Sequence, residues 1–124
     1  MNHKTAVITG GANGIGRRLA EKFVENGYRV AVVDTDAPSG EQLASQLGDK
    51  HFFYCGDITQ QTVLEGFADE VAKRFGQVHA LINNACASRG GLSECGWEDF
   101  NYILRLGISA PFYLTKLLCP IFVK

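Results

Sequence analysis

Short apolar runs alternate with longer segments of helical period along this chain. Residues 4–9 (KTAVIT), 28–34 (YRVAVVD), 51–55 (HFFYC) and 78–82 (VHALI) read as strands rich in β-branched and aromatic side chains. Between the first two, Ile15, Leu19, Phe23 and Val24 recur at helical spacing, and Asn26-Gly27 supplies a stop. A second helix opens at Pro38-Ser39-Gly40-Glu41-Gln42, with Ser39 read as its N-cap, Gln42 as the capping-box partner and Gly48 as its end. The third carries the stripe Val63, Phe67, Val71 and Phe75 and stops at Gly76. A Gly/Ser-containing loop at 87–96 precedes a helical stretch from about 97 onward, which Pro111 is expected to kink or interrupt. The strands are continuously apolar rather than alternating, which predicts a parallel sheet covered on both faces. The expected fold is a Rossmann-type, doubly wound α/β domain with strand order 3-2-1-4.

The 124 residues fit a single domain, 1–124, with no internal repeat or linker. Hydrophobic residues at 46% and charged residues at 20% exclude a disordered chain. Twelve basic against 13 acidic residues give a net charge of −1, no footprint for nucleic acid or an anionic membrane. The apolar run at 6–8 is too short for a secretory signal, and no window nears the roughly 20 apolar residues of a membrane span, so a cytoplasmic protein is expected. Cys55, Cys86, Cys95 and Cys119 lack metal-ligand spacing, as do His3, His51 and His79. The thiols are expected to be free and buried or half-buried, the histidines to lie at the surface or at strand ends, and no metal is expected.

The chemistry concentrates where strands end. Thr9-Gly10-Gly11-Ala12-Asn13-Gly14-Ile15-Gly16 joins the first strand to its helix, in a strand–turn–helix context. Gly10 allows a sharp turn, Gly14 and Gly16 let a pyrophosphate approach the backbone, and the helix start offers unpaired N–H groups and a positive dipole end. Asp34 lies 18 residues past Gly16, at the end of the second strand. An acid there accepts hydrogen bonds from the ribose hydroxyls of NAD and repels a 2′-phosphate. Neither Asn13 nor Thr35 is basic, so NAD is expected over NADP; Arg17 and Arg18 are the residues that could favour NADP. Asp57-Ile58 after the third strand fits either an adenine contact or a helix N-cap. Asn83-Asn84-Ala85 follows the fourth strand, on the edge where such sheets bind ligands.

In this order and context the motifs resemble the short-chain dehydrogenase/reductase family over essentially the whole chain. The resemblance implies an NAD(H)-dependent oxidoreductase that moves a hydride between the nicotinamide and a small alcohol/carbonyl substrate. It implies cofactor contacts from Gly10, Asn13, Gly14, Ile15, Gly16, Asp34, Asp57, Ile58, Asn84 and Ala85, with Asn83 holding the central sheet. The sequence departs from the family in three places. Cys86 stands where the family turn has glycine, and Gly107 where it has a relay asparagine. No tyrosine is followed four residues later by lysine, and the family's catalytic Ser and Tyr-x-x-x-Lys lie past the last strand found here. The chain is therefore expected to carry the cofactor-binding half of such an enzyme and to be inactive alone. An alternative is a non-catalytic dinucleotide-binding or self-associating module. An open fourth-strand edge and the apolar tail 112–123 also lead to an expected homo-oligomer.

Overall fold

The computed structural model describes residues 3–123. Four strands, β1 (Thr5–Thr9), β2 (Arg29–Asp34), β3 (Phe52–Cys55) and β4 (Ala80–Asn83), form one parallel sheet in the order β3-β2-β1-β4. The register pairs Val7 with Ala31 and with Leu81, and Val33 with Tyr54. Because side chains alternate across a strand, Ala6, Ile8, Val30 and Val32 face one side and Val7, Ala31 and Val33 the other. The first set packs with Ala20 of α1 (Gly14–Glu25) and Leu43 of α2 (Ala37–Leu47). The second packs with Leu64, Phe67 and Val71 of α3 (Gln61–Arg74) and with Ala110, Leu114 and Leu118 of α5 (Ala110–Leu118). Both faces are covered, and the expected doubly wound 3-2-1-4 architecture is the one observed.

All three glycine-bearing stops fall where the sequence places them. α1, α2 and α3 end at Glu25, Leu47 and Arg74, just ahead of Gly27, Gly48 and Gly76, each with positive φ. The start of α2 differs from expectation. Its N-cap is Asp36, not Ser39: the Asp36 carboxylate accepts the Ser39 N–H at 3.1 Å. Pro38 lacks an N–H and sits comfortably in a first turn, so the helix begins ahead of it and Ser39 is already inside.

The C-terminal stretch is four pieces, the last a 3₁₀ turn at Cys119–Ile121. α4 (Trp97–Leu104) opens where the Asp99 carboxylate accepts the Gly96 N–H, passes into a π-helical segment (Arg105–Ser109), and continues as α5. Pro111 withdraws the N–H that an α-helix would direct at the Gly107 carbonyl, and the chain widens by a residue per turn just before it. Leu106, Ala110, Leu114 and Leu118 bury one stripe, while Trp97, Phe100, Leu104, Ile108 and Phe112 lie exposed.

The apolar tail 112–123 is partly buried within the chain, although Phe112 and Val123 stay exposed. Leu114 and Leu118 are fully buried, and Val78 exchanges backbone hydrogen bonds with Ile121 and Val123. β4 starts two residues later than its apolar run, and Val78 bridges Phe122 while the His79 N–H donates to the Thr5 carbonyl. The cysteines also differ from expectation. Cys55, Cys86 and Cys119 are exposed and Cys95 is half-buried, because each falls at an element end or in a loop. The histidines do sit beside strands, and two have structural work. His79 Nδ1 accepts the Thr5 N–H at 3.0 Å and His51 Nδ1 accepts the Val30 N–H at 3.1 Å, which completes the hydrogen bonding where β1 and β2 begin.

Candidate cofactor cleft

The carboxyl ends of the four strands open into a cleft of about 480 Å³. Its walls bring together Gly10, Asn13, Gly14, Ile15, Asp34, Asp57, Ile58, Asn84 and Ala85, which lie up to 75 positions apart in the chain. Gly16 is not on the wall. It works from behind, where α1 crosses the turn after β1.

That turn is built from backbone geometry. Gly14 has φ +58°, and nothing lies within 4 Å of where a side chain would begin, so its cleft face is bare. A Cβ on Gly16 would collide with the Gly10 carbonyl oxygen and come within 2.5 Å of Asn84 Nδ2. One on Gly10 would meet Ala85 Cα at 2.8 Å. The turns after β1 and β4 are thus in direct contact, and only glycine lets them close.

Hydrogen bonds lock the two turns together. Asn84 Nδ2 donates to the carbonyls of Thr9 (3.2 Å) and Gly10 (3.1 Å). Thr9 Oγ1 accepts the N–H groups of Asn84 (3.1 Å) and Ala85 (3.0 Å). The side chain that braces this part of the sheet is therefore Asn84. Asn83, which the resemblance gave that task, ends β4 exposed and makes no side-chain hydrogen bond among the described residues.

The acid after β2 is fixed from two sides. Asp34 accepts the N–H groups of Ala12 (3.1 Å) and Asp36 (3.2 Å). Asp36 in turn accepts the Asn13 amide at 2.7 Å, and the Ser39 N–H, then the Asn13 amide, hold its carboxyl below the ordinary aspartate range. Since Asn13 is drawn to Asp36, its side chain does not cap α1, and the first turn of α1 contains no acid. The start of α1 is left bare and electropositive, suited to an anion.

Arg17 is engaged elsewhere. Its guanidinium donates to the Ala12 carbonyl and to Gln46 Oε1 at 3.1 Å, tying α1 to α2, while Arg18 reaches toward Glu25 at 3.8 Å. Neither lines the cleft. Asp57 does, but it is not the cap of α3, whose N-cap is Gln60. Its Oδ1 accepts the Thr59 N–H (2.9 Å) and hydroxyl (2.8 Å), and its Oδ2 the Tyr102 hydroxyl at 3.4 Å.

Sequence reasoning missed three lining residues with polar groups or charge. Thr35 lines the cleft beside Asp34, although in sequence it is notable only for lacking a basic group. Tyr102 closes the cleft from α4, and Arg89 stacks on its ring at 4.2 Å, the sole basic side chain among the lining residues. Arg89 sits in the loop after β4, where no periodicity marks it. Only the approach of α4 brings it in.

Comparison with known proteins agrees with this arrangement. Residues 4–124 match the short chain dehydrogenase family model. Momilactone A synthase of Oryza sativa subsp. japonica is 38% identical over 118 residues, covering 91% of this chain and 43% of that protein. A 3-ketoacyl-(acyl-carrier-protein) reductase from Brucella melitensis, solved with NADH, superposes with a TM-score of 0.88 at 27% identity, covering 97% of this chain and 50% of that one. A short chain dehydrogenase/reductase from Burkholderia phymatum, solved with NAD, gives 0.89 at 28% identity, covering 98% and 44%. The chain spans about half the length of the curated relatives it matches. No helix among the described residues is long and apolar enough to cross a membrane, and no three His, Cys, Asp or Glu side chains among them gather as a metal site. Sequence and sheet order agree over nearly the whole chain, which therefore belongs to the short-chain dehydrogenase/reductase family.

Proposed function

We propose that this chain is the nicotinamide-dinucleotide-binding half of an oxidoreductase that prefers NAD(H) and acts on a small alcohol/carbonyl pair. The observation that carries the reading is the bare, uncapped start of α1 set beside a fixed carboxylate at the end of β2. Gly14 and Ile15 line the position for the pyrophosphate, and Gly10 and Gly16 give the turn its closeness. Asp34, held by two backbone N–H groups, presents its carboxylate to the adenosine ribose, and its charge opposes a 2′-phosphate. With Arg17 tied to α2 and Arg18 turned toward Glu25, neither stands on the cleft wall to meet a 2′-phosphate. Ile58 and Asp57 border the adenine, while Ala85 and the Asn84 backbone border the nicotinamide ribose. Once bound, the nicotinamide supplies hydride exchange at its ring.

This chain's own residues bind and orient the cofactor. None takes the proton-transfer role: Gly107 has no side chain, and no tyrosine has a lysine four residues on. Purified, mass-verified 124-residue protein should bind NADH saturably and show no NAD-linked alcohol oxidation. A measurable rate would overturn the assignment of catalysis to residues outside this chain.

A second reading, self-association, is favoured by the exposed stripe of Trp97, Phe100, Ile108 and Phe112 and by the outer edge of β4. It expects a sedimentation coefficient that rises with concentration, and a constant monomer would refute it.

A further inference from the structure

At the opposite end of the sheet, where β2 and β3 begin, a second cleft of about 460 Å³ opens between the α2–β3 turn and the end of α3. The length of β2 separates it from Asp34, roughly 16 Å at about 3.3 Å per residue. Its walls carry Arg29, Lys50, Arg74, His3 and His51 against one carboxylate, Asp49. That is a local excess of positive charge on a chain whose net charge is −1.

The two guanidinium groups are held in place by aromatic rings. Arg29 lies 4.9 Å from the Phe75 centroid and Arg74 lies 4.6 Å from that of Phe52, while the two rings meet edge-on at 5.4 Å. This alternation of cation and ring fixes both arginines before any ligand arrives. Arg74 also pairs with Glu70. Arg29 has no carboxylate partner among the described residues. Among the described residues its guanidinium donates only to the Phe75 carbonyl, at 3.4 Å, and its buried Nε–H has no acceptor. A buried donor left unmade is costly and rare. His51 gives its Nδ1 to the Val30 N–H, so the ring proton of the neutral form sits on Nε2 and a donor remains.

We propose that this cleft is a second ligand site, for a compact dianion of the phosphate-ester class, independent of the dinucleotide. Two oriented guanidinium forks, an ammonium and an imidazole N–H match a tetrahedral oxyanion with several acceptors. The cleft is too small and the chain too acidic overall for a nucleic-acid surface.

Inorganic phosphate is the probe, followed by ¹H–¹⁵N NMR on the full chain with and without saturating NADH. Phosphate should shift the Arg29 Nε–H and the His51 and Lys50 resonances to the same extent in both cases. Arg29→Gln should weaken binding by about tenfold or more, as loss of a charge-assisted pair does. Lys50→Gln and Asp49→Asn change exposed side chains, so they keep the test valid if Arg29→Gln fails to fold; the first should weaken binding and the second tighten it. Shifts confined to residues 10–16 and abolished by NADH would place phosphate on the dinucleotide turn and overturn the proposal. Unchanged affinity in Lys50→Gln and Asp49→Asn would also overturn it.

Discussion

Gly16→Ala tests the closure of the cofactor turn. The added methyl would start inside contact distance of the Gly10 carbonyl oxygen and 2.5 Å from Asn84 Nδ2. Asn84 can swing away, but only by giving up its 3.1 Å bond to Gly10. The Gly10 oxygen belongs to a turn already pressed against Ala85 and cannot retreat freely. Overpacking of this kind costs about 1–3 kcal/mol and the lost hydrogen bond about 1 kcal/mol. Gly16 lies within α1, so alanine returns about 0.5–1 kcal/mol of helix propensity. The net expectation is about 1–3 kcal/mol of destabilisation. Urea unfolding followed by circular dichroism should show the midpoint falling with an unchanged slope. Asn84→Ala removes one of the two obstructing groups, so Gly16→Ala should cost less in that background, a coupling the double-mutant cycle reads directly. Gly14→Ala is the control. No atom crowds that position, and only its positive φ is strained, at about 1 kcal/mol. A Gly16→Ala protein with the wild-type midpoint, or a cost unchanged by Asn84→Ala, would refute the close-approach explanation.

Three further outcomes are expected. Gly107→Ala should stabilise by about 0.5–1 kcal/mol in the same unfolding assay, because this helical glycine faces open space and alanine loses less backbone entropy. Thr9→Val keeps the shape but strips the acceptor from the Asn84 and Ala85 N–H groups, so it should cost about 2–4 kcal/mol and weaken NADH binding. His51 should make stability sensitive to acid. Burial first, then the charges of Lys50 and Arg29, lower its pKa, so the folded state disfavours the protonated ring. Its contribution is fully present above about 6.5, where the unfolded histidine is neutral too. It declines as pH falls from there toward the lowered native value, and levels off below it. His51→Gln should flatten that part of the pH profile of the urea midpoint, and an unchanged profile would refute the assignment.

Much of this molecule is legible in its sequence because local chemistry and global fold agree. The apolar runs, the Gly27, Gly48 and Gly76 stops and the glycine turn after β1 each specify one backbone outcome, and together they leave few topologies. Nine of the expected cofactor residues meet on one cleft wall because a parallel sheet delivers every strand end to the same side. What escaped notice depends on partners distant in sequence. Ser39 and Asp36 are both good caps, and only the placement of Pro38 in the first turn decides between them. The π segment before Pro111 answers a missing N–H, while its register follows from packing Leu106 and Ala110 on the sheet. Arg89, Tyr102 and the bracing hydroxyl of Thr9 gain their roles from elements brought together across 13 to 76 residues. Asn83 and Asn84 look equivalent in sequence, but Asn83 ends β4 while Asn84, one residue past it, is the one bonded to Thr9 and Gly10 of the turn.

The proposed preference for NAD(H) in the cleft at the strand ends rests on the Asp34 carboxylate. Calorimetric titration of the 124-residue chain with NADH and with NADPH tests it most directly, alongside Asp34→Ala. NADH should bind more tightly, and the preference should narrow or reverse when the carboxylate is removed. NADPH binding as tight as NADH in the unaltered chain, or no binding of either, would contradict it.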